Sequence, residues 1–139
     1  MVSSVQFPYI VTRNLKGEGI LRPQMPLILT YRNESREAMG LLDTGADVNV
    51  LPYDLGIALG AVWEAQDTIV ELSGNLAHYE TRGIVMNAKI GELDSVRLVF
   101  AWTQAKNLPL RLRQVNFFAE FDVCFYRAQS IFEVWTKNT

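Results

Sequence analysis

Asp43, Thr44, Gly45, Ala46 and Asp47 form the one segment whose residue types and order suggest chemistry instead of packing. The apolar pair Leu41-Leu42 runs into it, and the alternating Val48-Asn49-Val50-Leu51 leads out to Pro52. A carboxylate at the end of a buried strand is costly unless it is hydrogen-bonded or put to use. Thr44 offers a hydroxyl to neighbouring backbone, while Gly45 lets the main chain turn tightly and lets another group come close. One use open to such a carboxylate, if a second is brought beside it, is acid–base hydrolysis, one member ionised as base and the other protonated as acid. Two carboxylates about 3 Å apart resist joint ionisation, so they share a proton and activate a water between them. Asp and Gly are also turn residues, and the tripeptide taken alone reads first as a plain β-turn.

Such residues need a frame, and the rest of the chain supplies a β-rich one. Short apolar runs broken by turn residues favour antiparallel β-structure. Val5 to Thr12 is a first strand, followed by the turn RNLKGEG with Gly17 and Gly19. Pro26 to Tyr31 and Ala38 to Leu42 read as a hairpin with a longer loop over RNESRE. Tyr53 to Leu59 reads as a short helix, with Pro52 near its start and Gly60 as its stop. Thr68 to Leu72 and Arg82 to Ile90 read as strands flanking the loop SGNLAHYET, and Val96 to Trp102 as a strongly apolar strand. Phe117, Phe118 and Phe121 fall at helical spacing, and Val123 to Tyr126 with Ile131 to Trp135 closes the chain as a hairpin. The sum is an all-β chain with one or two short helices, closed or sandwiched.

The bulk properties narrow the field. The chain has 139 residues, 13 Lys+Arg against 15 Asp+Glu, and a formal net charge of −2. That length fits one domain, and the slightly acidic balance lacks the basic excess that nucleic-acid binding needs. With one Cys and one His, neither a disulfide framework within the chain nor a Cys/His zinc cluster is available. No apolar run approaches the ~20 residues that span a bilayer, and the start, MVSSVQFPYIVTRN, has no secretory pattern. The expectation is a cytoplasmic protein with no membrane or nucleic-acid partner. His78 has no Cys or Ser arranged beside it and reads as an exposed loop residue. Cys124, between Val123 and Phe125, reads as a core residue. Trp63, Trp102 and Trp135 read as core or interface anchors.

The stretch Leu41 to Pro52 resembles the active-site segment of the retropepsin family, the single-domain aspartic proteases of retroviruses and their cellular and bacterial relatives. The pattern there is two apolar residues, D-[ST]-G-A, another Asp, and an alternating run to a Leu or Val followed by Pro or a polar residue. Every slot is filled here. Upstream, Arg22-Pro23-Gln24-Met25-Pro26-Leu27-Ile28-Leu29 is similar to the strand before the catalytic hairpin of bacterial members. Downstream, Asn116-Phe117-Phe118-Ala119-Glu120-Phe121-Asp122-Val123-Cys124-Phe125 resembles their short helix and final strands. The likeness spans roughly residues 20 to 135.

The resemblance implies a closed β-barrel of the retropepsin-like acid protease fold, with residues 21–139 as a single protease domain and 1–20 as an N-terminal extension or interface strand. It implies a homodimeric aspartic endopeptidase to which each chain contributes Asp43, acting on a peptide or protein substrate with no metal and no cofactor. Thr44 would lock the two loops across the two-fold axis, and Gly45, with Ala46 in the same loop, would keep backbone close to substrate. Asp47 would bind substrate backbone or a structural Arg; a surface or capping carboxylate is the alternative. Gly74 and Asn75 sit where a flap would close over substrate, or form an ordinary hairpin turn. Of the chain-end strands, Ile131 to Trp135 is the expected interface strand.

One segment departs from the family pattern. Where the family has two apolar residues and a Gly before its last helix, this chain has Arg111, Leu112 and Arg113. An Arg in the Gly slot could clash with the catalytic loop or place a guanidinium near Asp43 or Asp47, where a cation favours ionised carboxylates over a shared proton. Alternatively both arginines point outward into solvent. The departure motivates a rival reading, a catalytically silent retropepsin-fold module that binds peptides or joins copies of the chain.

Overall fold

The computed structural model describes residues 3–45, 47–72 and 76–137. The predicted first strand is divided at Tyr9 into β1 (Ser4–Pro8) and β2 (Ile10–Arg13). β2 pairs antiparallel with β3 (Gly19–Arg22). The turn between them is held by Asn14 Oδ1, which accepts from the Lys16 and Glu18 N–H groups at 2.9 and 3.0 Å. Gly17 takes φ +79° there, a conformation glycine adopts without steric cost.

The barrel begins with β4 (Gln24–Tyr31) and β5 (Glu34–Leu42). Alternation sets its inside: Met25, Leu27 and Leu29 are buried while Pro26 and Ile28 face out. The longer loop expected over RNESRE is not present. Tyr31 pairs directly with Glu34, leaving a two-residue turn at Arg32-Asn33 with Arg32 at φ +55°, the left-handed geometry that suits a tight hairpin. β6 (Asn49–Pro52) leads into α1 (Tyr53–Ala58). β7 (Thr81–Lys89), β8 (Val96–Thr103) and β9 (Leu110–Leu112) complete a closed barrel ordered β4-β5-β9-β6-β8-β7. β5–β9 and β6–β8 are parallel pairs, and β4–β7 closes the ring antiparallel. The closed, mostly β architecture expected from the sequence is therefore present, with short helices α1 and α2 (Phe117–Glu120).

Three expectations are corrected. Thr68 to Leu72 forms no strand; it touches the start of β7 through the Ile69–Arg82 bridge and the hydrogen bonds Val70 N–H to Thr81 O and Gly83 N–H to Thr68 O. β11 (Ile131–Thr136) lies between β1 and β10 (Phe121–Tyr126), paired antiparallel to both. Ile131 to Trp135 therefore has no free edge to offer a second chain; within this sheet the open edges belong to β1 and β10. Cys124 is exposed, because it lies on the outward side of β10 while Phe121, at the start of that strand, enters the core. Trp135 is also half-exposed, whereas Trp63 and Trp102 are core residues.

An aromatic cluster fills the core where α1 meets β8. Trp102 is fully buried, its Nε1–H donates to Tyr53 O at 3.1 Å, and it packs between Tyr53 and Trp63 with ring centroids 5.6 and 5.0 Å away. Gly56 makes this possible: a Cβ there would lie 2.3 Å from the indole. At the other end, Gly40 of β5 lets β9 come close, since a Cβ would sit 2.7 Å from Leu112 Cδ1. That approach carries β9 alongside the residue that follows β5, which is Asp43. Among the described residues no helix is long and apolar enough to cross a membrane.

Candidate active site

β5 and β9 run parallel in the register Gly40–Leu110, Leu41–Arg111, Leu42–Leu112. The pairing extends one step past β5, where the Asp43 N–H donates to Leu112 O at 2.9 Å. Asp43 is thus pinned to the barrel at the point where the strand becomes a loop. Its Oδ1 accepts the Gly45 N–H at 3.1 Å, so the Asp-Thr-Gly segment closes on itself as an Asx-type turn. The β-turn suggested by residue types is real, and the carboxylate is part of it.

The other carboxylate oxygen faces β9. Leu110 and Leu112 point into the core, so the intervening positions point to the opposite side. Arg113 Nη2 lies 3.2 Å from Asp43 Oδ2 and Arg111 Nη1 lies 4.0 Å from the same atom. Asp43 is 30% exposed, Arg111 29% and Arg113 only 9%. The outward-facing alternative for both arginines is excluded, because Arg113 is buried and both guanidiniums flank Asp43. Burial, and next the charge of Arg113, push the Arg111 guanidinium below its ordinary value; Asp43 acts in the opposite sense and Arg22 adds to the lowering. The Nε atoms of Arg111 and Arg113 are buried with no hydrogen-bond partner among the described residues.

The backbone under Arg113 is held by a residue to which sequence reading assigned no role. Asn49 is fully buried; its Oδ1 accepts the Arg113 N–H at 2.8 Å, and its Nδ2 donates to Val99 O at 3.0 Å and to Asn116 Oδ1 at 3.3 Å. Asn116 in turn accepts the Val99 N–H at 3.0 Å and donates to Arg97 O at 3.2 Å. The signal for Asn49 was visible: it is the one polar residue in the run Val48 to Leu51, and a buried polar group needs partners. Gln114 was also missed. Its Nε2 donates to Thr44 O at 3.0 Å, tying the loop to the segment after β9. Nothing in the sequence around Gln114 marks it out.

The remaining site expectations divide. Thr44 and Gly45 are exposed at the tip of the turn, and Asp47 is exposed with its backbone O accepting the Val115 N–H. Among the described residues the Thr44 hydroxyl and the Asp47 carboxylate have no partner within the chain. Ala46, Gly74 and Asn75 lie outside the described residues. Arg113 is brought to Asp43, whereas His78 stays exposed and apart from the site, as its isolation in the sequence suggested. A cavity of about 490 Å³ opens beside Asp43, lined among others by Thr12, Arg22, Gln24 and Arg111.

No family model matches the chain, and no curated protein matches it. Among solved structures it is similar to a retropepsin-like aspartic protease from Rickettsia conorii, at 14% identity and a TM-score of 0.57, over 96% of this chain and 94% of that one. EIAV protease complexed with the inhibitor HBY-793 is matched at 21% identity and a TM-score of 0.49, over 75% of this chain and 88% of that one. The barrel order and the nearly end-to-end likeness to the Rickettsia structure identify the fold of this chain as retropepsin-like.

Proposed function

We propose that the chain is a homodimeric aspartic endopeptidase in which Asp43 of each copy forms half of a carboxylate pair. The observation that carries this reading is the placement of Asp43: anchored through its N–H to Leu112 O, partly open, on a turn whose Thr44 and Gly45 project from the barrel beside a cavity. One such carboxylate is half of what acid–base hydrolysis needs, so the second comes from an isologous copy. The ionised Asp43 takes a proton from a water whose oxygen attacks the peptide carbonyl. The protonated Asp43 gives its proton to the carbonyl oxygen; collapse of the tetrahedral intermediate returns that proton to it and expels the amine, which takes the proton the other Asp43 removed from water. The Thr44 hydroxyl, with no partner among the described residues, would bond across the axis, and the Asp47 carboxylate, equally unpartnered among them, would meet substrate backbone. Residues 1–20 contribute an interface strand in this proposal, β1 having one open edge.

One contact favours the rival reading. Arg113 lies 3.2 Å from Asp43 Oδ2, the oxygen that a partner carboxylate or a bridging water would need. A dimer that keeps this contact presents two carboxylates already occupied by guanidiniums, and it binds peptide without cleaving it. The two readings separate on incubation of the purified protein with a mixed peptide library, analysed by mass spectrometry. The endopeptidase yields products whose formation stops with a transition-state mimic of aspartic proteases and is lost in Asp43→Asn. Retention of peptides without products establishes the silent module.

A further inference from the structure

The charge around Asp43 does not balance. Arg113 and Arg111 lie on its Oδ2, and Arg22 lines the same cavity as Asp43 and Arg111. Two guanidiniums therefore flank one carboxylate and a third, that of Arg22, lines the cavity beside it, in a chain whose formal net charge is −2. Among the described residues Arg22 has no carboxylate in ion-pair range, and Arg111 has only Asp43, at the limit of contact. Arg113 takes the near side of Asp43, so the carboxylate is largely used before Arg111 and Arg22 are reached. Burial first, then the charge of Arg113 and to a smaller degree that of Arg22, weaken the charged form of Arg111, while Asp43 opposes them. Thr12 and Gln24 add neutral hydrogen-bonding groups to the walls.

We propose that this cavity is a receptor for a carboxylate of the bound peptide, with Arg111 and Arg22 as the two residues that select it. The proposal rests on the reading that peptides bind beside Asp43, and it names the class: peptides bearing an acidic side chain next to the Asp43 loop. A guanidinium presents a planar fork of donors that matches a carboxylate, and a cavity wall partly shielded from water strengthens the attraction. Phosphate and sulfate share part of this chemistry, but a cavity open toward the peptide-binding loop meets carboxylates in every acidic sequence it samples. The cavity thus selects against basic peptides as well, since a Lys or Arg side chain would bring a further cation to an unbalanced cluster.

The test measures binding by calorimetry or fluorescence anisotropy with three short peptides, each acetylated at its N-terminus. One carries a central Glu and an amidated C-terminus, one replaces that Glu with Gln, and one is the Gln peptide with a free C-terminal carboxylate. The Glu peptide is expected to bind about tenfold or more tightly than its amidated Gln counterpart at low salt, the scale of one hydrogen-bonded charge pair. The margin narrows as salt rises. Arg111→Gln and, separately, Arg22→Gln reduce the margin; because Arg22 is exposed, its variant decides the matter if Arg111→Gln does not fold. Preference for the free-acid Gln peptide over the Glu peptide would mean that the cavity takes a chain terminus and would overturn the side-chain assignment. Equal affinities for the Glu and Gln amides would overturn the proposal altogether. Mass spectrometry of the same samples keeps the two readings apart: acidic preference without cleavage sinks the endopeptidase alone, and cleavage without preference sinks the receptor alone.

Discussion

The two ends of the β5–β9 and α1–β8 contacts are built on opposite terms. At the α1 end, Trp102 is fully buried, its one polar atom has a partner in Tyr53 O, and Gly56 has no side chain to collide with it. At the Asp43 end two guanidiniums, largely withdrawn from water, flank one carboxylate with both Nε atoms unpartnered among the described residues; the α1 end has one such atom, Arg82 Nε over Trp63, and each end borders a cavity. Buried polar groups are usually satisfied, so two like charges left partly unsatisfied around one carboxylate mark a place where stability has been traded for interaction with something else. Both ends use a glycine for close approach. Gly56 serves packing, and Gly40 brings β9 and its arginines to the loop.

The sharpest way to test this contrast is to damage each end in turn. Trp102→Ala should cost about 3–5 kcal/mol, because a large buried ring is removed from a site that cannot collapse around the gap; urea unfolding reads this directly. A change below about 1 kcal/mol would show that the aromatic cluster at the α1 end is not tightly packed. Asn49→Leu tests the boundary between the ends. It leaves the Arg113 N–H without its partner and removes one hydrogen bond each from the Val99 carbonyl and Asn116 Oδ1, with an expected loss of about 1–3 kcal/mol. It should also loosen the segment carrying Arg113, seen as faster amide exchange at Arg113.

Arg113→Gly has the most informative effect on chemistry. Asp43 keeps the Gly45 N–H and is itself partly open to water, but the buried Arg113 side chain is lost with its ion pair, so a loss of about 1–3 kcal/mol is expected. If the proposed carboxylate pair is competent, removing the guanidinium from Oδ2 raises the rate of peptide cleavage, by about tenfold for each 1.4 kcal/mol of barrier removed. An unchanged or lower cleavage rate in a folded variant would mean that Arg113 is no obstacle to the pair.

Much of this fold can be read along the chain wherever an element is long enough for its side chains to repeat. Val96 to Trp102 and Pro26 to Tyr31 show runs that only a buried or half-buried strand explains, and both are barrel strands. β9 escapes the same reading because three residues hold a single alternation, and Leu-Arg-Leu fits a loop as well as a strand. Thr68 to Leu72 misleads in the other direction: β-forming residues run beside β7 yet make only an isolated bridge. Cys124 misleads because an apolar stretch does not say which of its alternate residues faces the sheet's covered side.

Asp43-Thr44-Gly45 carries its local meaning in its own residues. A short carboxylate two positions before a glycine can bond that glycine's N–H whatever surrounds it, and the Asx turn forms accordingly. The residues that stand against its other oxygen are a different matter. Arg111 and Arg113 lie about seventy positions away and reach Asp43 only because β9 inserts between β5 and β6 and runs parallel to β5. Side-chain types and near-neighbour spacing determine turns and alternation because those depend on contacts a few residues apart. Whether a carboxylate is alone, paired or flanked by guanidiniums depends on strand order and register, which arise only when the barrel closes.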